Sequence, residues 1–230
     1  MKNSKLLSRR KALQVAGGAL AGTALTANRT WAADAPHPVT VRLAEYMAAA
    51  GAKAIPPDAV ERAKHHILDT FAAIVSGCDL PPGRVALKFA AAHGGEKVAT
   101  VGASKFVCGP IEAAMVNGML AHSDETDDTH APSHSHPGCS IVPAALAAGE
   151  LWNVDGARFL RSVALGYDVG TRITSTLGAL KYQMETHRST HSIASDFGAC
   201  AAAGCAAGLD PHQMRWLRSE EHTSELQSRG

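Results

Sequence analysis

One stretch of this chain gathers the side chains that carry proton chemistry. Residues 117–150 read NGMLAHSDETDDTHAPSHSHPGCSIVPAALAAGE and contain His122, His130, His134 and His136, four of the twelve histidines. Four carboxylates, Asp124, Glu125, Asp127 and Asp128, lie between the first two of them. Imidazole is the side chain whose ordinary titration falls near neutral pH, so it can both accept and return a proton. A carboxylate beside it can orient the ring or balance its charge. Burying such charges without partners costs several kcal/mol each, so a packed core has no use for this density. The chemistry to expect is therefore proton transfer in a polar pocket. A plain solvated loop is the bland alternative. A second alternative is a zinc site built from His130, His134 and His136 with Asp127 or Asp128, although these spacings match no common ligand motif.

Such a loop needs rigid walls. Ala-rich apolar segments flank it on both sides, which predicts a polar loop held between two buried helices. Pro110 opens the first of these helices, with Ile111, Ala114, Met115 and Met119 expected on its buried side. The second is expected over about 141–152, with Pro143 tolerated only in the first turn. Upstream, a helix is expected over 39–50, and another runs from a cap at Asp58 to about Ser76. Val60, Ala63, Ile67, Phe71, Ile74 and Val75 form the apolar stripe of that second helix, and Gly77 ends it. His65 and His66 fall within it and read as ordinary surface or boundary residues. Residues 84–93 read as helical and 97–101 as a short extended piece.

Downstream, 153–156 form a turn and Asp155 caps a long helix over 157–177. Gly166 and Gly170 weaken that helix by roughly 1 kcal/mol each, which makes sense if another helix passes close by. Residues 195–207 are nearly all small, again a pattern for tight helix packing, and Asp210-Pro211 begins a further helix. The fold class predicted is all-α.

Composition narrows the function classes. Aromatic residues make up only 5% against 46% hydrophobic, so alanine and glycine dominate the apolar set and helices with small interfaces are favoured over a β-sandwich. A formal net charge of +1 gives no nucleic-acid footprint. Five cysteines with no CxxC pair argue against a disulfide framework. Residues 1–32 read as a targeting segment: Arg9-Arg10 precedes a modestly apolar run, as in a twin-arginine export signal, with a small-residue site at Ala32. The run is too short and too rich in Gly and Ala for a stable membrane anchor. That reading places the protein in the periplasm if the signal works, and in the cytoplasm otherwise. Residues 218–230 open with RSEEHTSELQS, which resembles a translated sequencing-library adapter. The natural sequence is therefore read as covering 33–217, as part of a longer protein, and the fragment is expected to be inactive.

The central stretch resembles the MmgE/PrpD family, which includes 2-methylcitrate dehydratase and cis-aconitate decarboxylase. The resemblance rests on Asn117-Gly118, Ala121-His122, Asp127-Asp128-Thr129-His130, His136-Pro137-Gly138 and Pro143-Ala144-Ala145-Leu146-Ala147 with Glu150. Phe197-Gly198-Ala199 and Gly208-Leu209-Asp210 extend it. Glu125-Thr126 depart from the family's usual Asp-Phe, and an ungapped match puts Ser189 where the family has a histidine, leaving His187 or His191 as substitutes.

The resemblance implies a helical domain preceding an α+β domain, a homodimer, and a lyase that removes water or CO2 from a small di- or tricarboxylate without metal or organic cofactor. It makes His136 the first candidate for proton transfer, with Glu125, Asp128 and Thr129 orienting histidine or holding substrate. His191 is a further catalytic candidate, and Arg188 and His130 are candidate substrate-binding residues. His122 is expected to be structural. The family's active-site lysine falls beyond Leu217. A helical relative without catalysis is the remaining alternative.

Overall fold

The computed structural model describes residues 37–217. The segments read as leader, 1–32, and tail, 218–230, lie outside them. The described residues form α1 (Pro38–Ala50), α2 (Pro57–Gly77), α3 (Pro81–His93), β1 (Ala99–Thr100), β2 (Val107–Cys108), α4 (Pro110–Ala121), α5 (Gly138–Leu151), α6 (Gly156–Leu177), α7 (Ala179–Thr186), α8 (Thr190–Ala207) and α9 (Pro211–Trp216). The two strands pair antiparallel, Ala99 opposite Cys108. The fold is all-α apart from this ribbon.

Local chemistry sets the helix ends. Prolines stand in the first turn of α2, α3, α4 and α9, where the missing N–H has no intrahelical partner to lose. The Asp155 carboxylate accepts the Arg158 N–H at 2.7 Å and caps α6. Replacing Asp155 with alanine is expected to lower the unfolding free energy by about 1 kcal/mol, read by chemical denaturation. Ser189 caps α8, Asp210 forms a capping box with Gln213, and Gly178 and Gly208 end α6 and α8 at positive φ.

Close backbone contact dominates the packing around α5, α6 and α8. A Cβ on Gly166 would lie 2.8 Å from the Gly198 carbonyl oxygen, and one on Gly198 would lie 2.9 Å from that of Gly166. The two glycines thus let α6 and α8 touch backbone to backbone, the close passage that the sequence predicted. Ile141 of α5 seals the same junction, and Val142, Ala145, Val163 and Ala202 complete its core with Ala63 and Ile67 of α2.

Several expectations are corrected. α2 starts at Pro57, so Asp58 sits in its first turn rather than at the cap. Val75 is exposed. On α4 the faces are reversed: Ile111, Met115 and Met119 point to solvent, Ile111 with 79% exposure, while Ala113, Val116, Asn117, Leu120 and Ala121 are buried. The reason is proximity. A Cβ on Gly77 of α2 would collide with the Leu120 carbonyl oxygen, and Asn117 reaches the ribbon, accepting from Gly102 N–H at 2.8 Å and donating to Thr100 O at 2.9 Å. Val116 and Leu120 of that face join Ala113 and Ala121 in the apolar cluster with Ile74, Ala86 and Val101. α5 starts at Gly138, so Pro143 lies inside the helix and not in its first turn. Its missing N–H leaves the Cys139 carbonyl without its usual helical donor.

Candidate active site

The polar loop runs from the end of α4 to the start of α5. His122 is the C-cap residue of α4. Asp124 then closes a tight turn: its carboxylate accepts from the Thr126 N–H and hydroxyl and from the Ser76 hydroxyl on α2. The Ser76 bond first, and the Thr126 bonds next, hold its carboxyl below the usual range. Glu125 occupies the turn at φ 58° with its side chain mostly in solvent. Farther on, His130 caps a 3-10 turn over Ala131–Ser133 and pairs its backbone with Ser135. Its Nδ1 lies 2.7 Å from Ser133 Oγ, so that nitrogen serves the loop.

Asp128 is the loop's anchor. Its carboxylate is 10% exposed and receives three donors: Gly138 N–H at 2.8 Å, Tyr167 hydroxyl at 2.8 Å, and His66 Nδ1 at 2.8 Å. Burial raises the carboxyl's pKa, and these three bonds outweigh it and leave it below the ordinary value. One side chain thereby ties the loop to α2, α5 and α6. Gly138 is required here: a Cβ would lie 2.6 Å from Asp128 Oδ1 and 2.7 Å from Thr70 Oγ1. Tyr167 stacks on His66 with centroids 4.5 Å apart, and burial followed by the Asp128 charge drives its hydroxyl far above the usual range.

Above this anchor stand four imidazoles. His136 stacks on His191 at 4.7 Å and 25°, His134 meets His191 edge-on at 5.6 Å, and His122 lies 5.8 Å from His136. His136 Nδ1 is 3.0 Å from the Asp128 carbonyl oxygen and 3.3 Å from Thr129 Oγ1. A carbonyl only accepts, so Nδ1 carries the proton and Nε2 is the nitrogen left for chemistry. His122 Nδ1 lies 3.0 and 3.1 Å from the two oxygens of Asp127, whose side chain is fully buried. Its Nε2 is 3.7 Å from Glu125 Oε1. Thr190 joins α8 to the loop by donating to His134 O at 2.6 Å. That bond sets His191, one residue on, against His136.

The arrangement offers a paired set of proton carriers over a rigid hydrogen-bonded floor. A comparison of the sequence with known families agrees with the pattern in the loop: the MmgE/PrpD N-terminal domain matches residues 41–225. The chain belongs to the MmgE/PrpD family. Among its relatives, the cis-aconitate decarboxylase-like protein oryM of Aspergillus oryzae is 30% identical over 184 residues, 75% of this chain and 37% of that protein. Cis-aconitate decarboxylase of Aspergillus terreus is 26% identical over 189 residues, 79% of this chain and 38% of the relative. The cis-aconitate decarboxylase of Homo sapiens is 27% identical over 162 residues, 68% and 33% respectively. The chain thus spans well under half the length of these curated relatives.

Within this MmgE/PrpD domain, the candidates named from sequence divide into three groups. His136, His191, Thr129 and Asp128 come together. Asp128 acts through its backbone oxygen on His136 and through its carboxylate on the floor. Glu125 faces His122 rather than His136. Arg188 and His187 line a concavity of about 350 Å3 with Gln183, Met184 and Ser189. His187 ends α7 in the left-handed conformation. Of the two histidines left open by the sequence, His191 is the one stacked on His136. Among the described residues, the ligand atoms of His130, His134 and His136 do not converge as a metal-binding group. His66 and Tyr167 were missed, and His66 is corrected from a boundary residue to a partner of Asp128.

Burial first, and the charges of His136, His134 and His122 next, lower the pKa of His191, with Asp127 opposing. The folded chain then binds fewer protons than the unfolded one between the lowered value and the ordinary value of ~6.5. Stability is full above that window and falls as the pH drops through it. The melting temperature should decrease between about pH 7.5 and 5.5, and His191→Gln should make that slope shallower. An unchanged slope in the variant would refute the assignment.

Proposed function

We propose that the intact protein is a lyase acting on a small di- or tricarboxylic acid, with His136 as its proton-transfer group. The observation that supports this most is the His136–His191 stack, in which Nδ1 of His136 is committed to the Asp128 carbonyl and Nε2 is left for substrate. The relatives named as cis-aconitate decarboxylases favour decarboxylation of a cis-aconitate-like acid. In that reaction the bond to the leaving carboxylate breaks, its electron pair passes into the carbon skeleton, and protonated His136 delivers Nε2–H to the carbon that receives the pair. Dehydration would use the same nitrogen in the opposite sense: Nε2 takes a proton from carbon while hydroxide leaves with a proton from a second acid. His191 is the partner that can supply or store that proton, and Thr129 steadies the His136 ring.

Arg188 and His130 remain the proposed contacts for substrate carboxylates, Arg188 by a bidentate clamp. We also propose that Arg9-Arg10 directs export to the periplasm, which cell fractionation of the intact protein would test. A homodimer is expected by sedimentation. The deciding assay incubates the intact protein with cis-aconitate and with citrate-like hydroxy acids. It follows CO2 release from the first and the absorbance of a new double bond from the others. Turnover of cis-aconitate with CO2 release is expected; no turnover of any acid would reject the lyase reading.

A further inference from the structure

Three segments bring a nitrogen, an oxygen and a sulfur to one point beside the histidine cluster. His122 comes from the C-cap of α4, Asp127 from the loop and Cys139 from the first turn of α5; one ligand atom of each lies within 4.8 Å of the other two. Zinc bonds to nitrogen and oxygen are about 2.0 Å and to sulfur about 2.3 Å, so tetrahedral ligand atoms stand roughly 3.3–3.8 Å apart. Closing the trio on an ion needs side-chain shifts on the order of 1 Å.

Asp127 is the member that most needs a cation. Its side chain is fully buried, and among the described residues its ion pair is with His122, with neither Lys nor Arg pairing to it. A buried carboxylate without a lasting positive partner is expensive. His122 supplies charge only while protonated, and the Cys139 thiol beside it is neutral, its pKa pushed up by burial and then by the Asp127 charge. We propose that His122, Asp127 and Cys139 form a three-ligand site for a borderline divalent cation of the Zn2+ class, with water in the fourth position.

The surroundings fit that assignment. Imidazole, carboxylate and thiolate together select Zn2+ or Co2+ over Mg2+ or Ca2+. When Nδ1 of His122 ligates, its proton moves to Nε2, which faces Glu125 Oε1 at 3.7 Å, the outer carboxylate that histidine ligands commonly use. Cys139 releases its thiol proton to solvent, so binding liberates one proton per ion. The His122 side chain is 45% exposed and opens the path of entry. The site differs from the His130, His134 and His136 set considered from spacing, and it does not depend on the lyase reading.

The test titrates Co2+ into the untagged, chelator-washed 230-residue chain under reducing conditions. One ion per chain with a near-ultraviolet sulfur-to-cobalt charge-transfer band is expected. Cys139→Ser should abolish the band, and Asp127→Asn should weaken binding at least about tenfold. On the unmutated chain, Zn2+ should slow alkylation of Cys139 and leave that of Cys78 unchanged, which decides the matter even where a variant fails to fold. Absence of the band, its persistence in Cys139→Ser, or an unprotected Cys139 would each overturn the proposal.

Discussion

On the proposed lyase reading, replacing His136 with alanine in the intact protein should lower kcat on the order of a hundredfold or more, the usual loss when a proton-transfer group is removed. The structural grounds are specific. Nδ1 is held at 3.0 Å by the Asp128 carbonyl, so the ring is fixed in one orientation and one neutral tautomer. The face stacked on His191 gives the ring a second support at 4.7 Å. The carboxylate floor uses the side chain of Asp128, not its carbonyl, so losing the ring leaves that floor intact. Stability should therefore change little, and the defect should lie in kcat with KM close to its original value. Thr129→Val, which removes only the 3.3 Å contact to the same nitrogen, should have a much smaller effect. Near-normal turnover in His136→Ala would remove this residue from the mechanism.

What could be read from the sequence follows from how local each signal is. Several helix ends were legible because Pro, Gly and capping Asp act through their own backbone: Gly77, Pro110, Asp155 and Asp210 all stand where their chemistry requires. The close approach at Gly166 and Gly170 was legible for the same reason, since glycine in a helix demands an explanation. Which face of α4 is buried was not. Ile111, Met115 and Met119 repeat at helical spacing as convincingly as Ala113, Val116 and Leu120 do. The choice is made by tertiary partners: Gly77 of α2 meets the Leu120 backbone, and Asn117 bonds to Gly102 and Thr100 at the ribbon. Pro143 misled because its cost was judged without the local structure that leaves the Cys139 carbonyl free.

The site divides along the same line. The loop was visible as a density of His and acid in one stretch. Its partners were not, because His66 and Tyr167 are each a lone residue on a distant helix whose meaning depends on tertiary packing. Tyr167 did carry a weak signal, a polar-tipped ring beside the Gly166 contact. The ambiguity between His187 and His191 had a local answer in Ser189. A serine there caps a helix beginning at Thr190, which puts His191 inside the first turn and leaves His187 in the preceding bend.

Asp128→Ala should cost about 3 kcal/mol of folding stability, the largest single loss expected in the domain. The carboxylate accepts from Gly138 N–H and from the Tyr167 hydroxyl at 2.8 Å each, and both donors belong to the packed part of the molecule. Removing it leaves those groups unbonded in a site too tight to rearrange, because Gly138, Thr70 and Tyr167 already crowd the same point. His66 contributes less, since its side chain is 41% exposed and water can replace the lost partner. For a chain of this size the loss corresponds to a fall in melting temperature of roughly 6–12 °C. Asp128→Asn keeps one acceptor oxygen and should be milder. Tyr167→Phe removes one donor and should cost about 1 kcal/mol alone. In the Asp128→Ala background that second change should cost almost nothing, because the hydroxyl has already lost its acceptor. Thermal and denaturant unfolding of the four proteins and the double variant measures this directly. Additive losses, or an Asp128→Ala chain within about 0.5 kcal/mol of the parent, would show that the carboxylate does not anchor the loop.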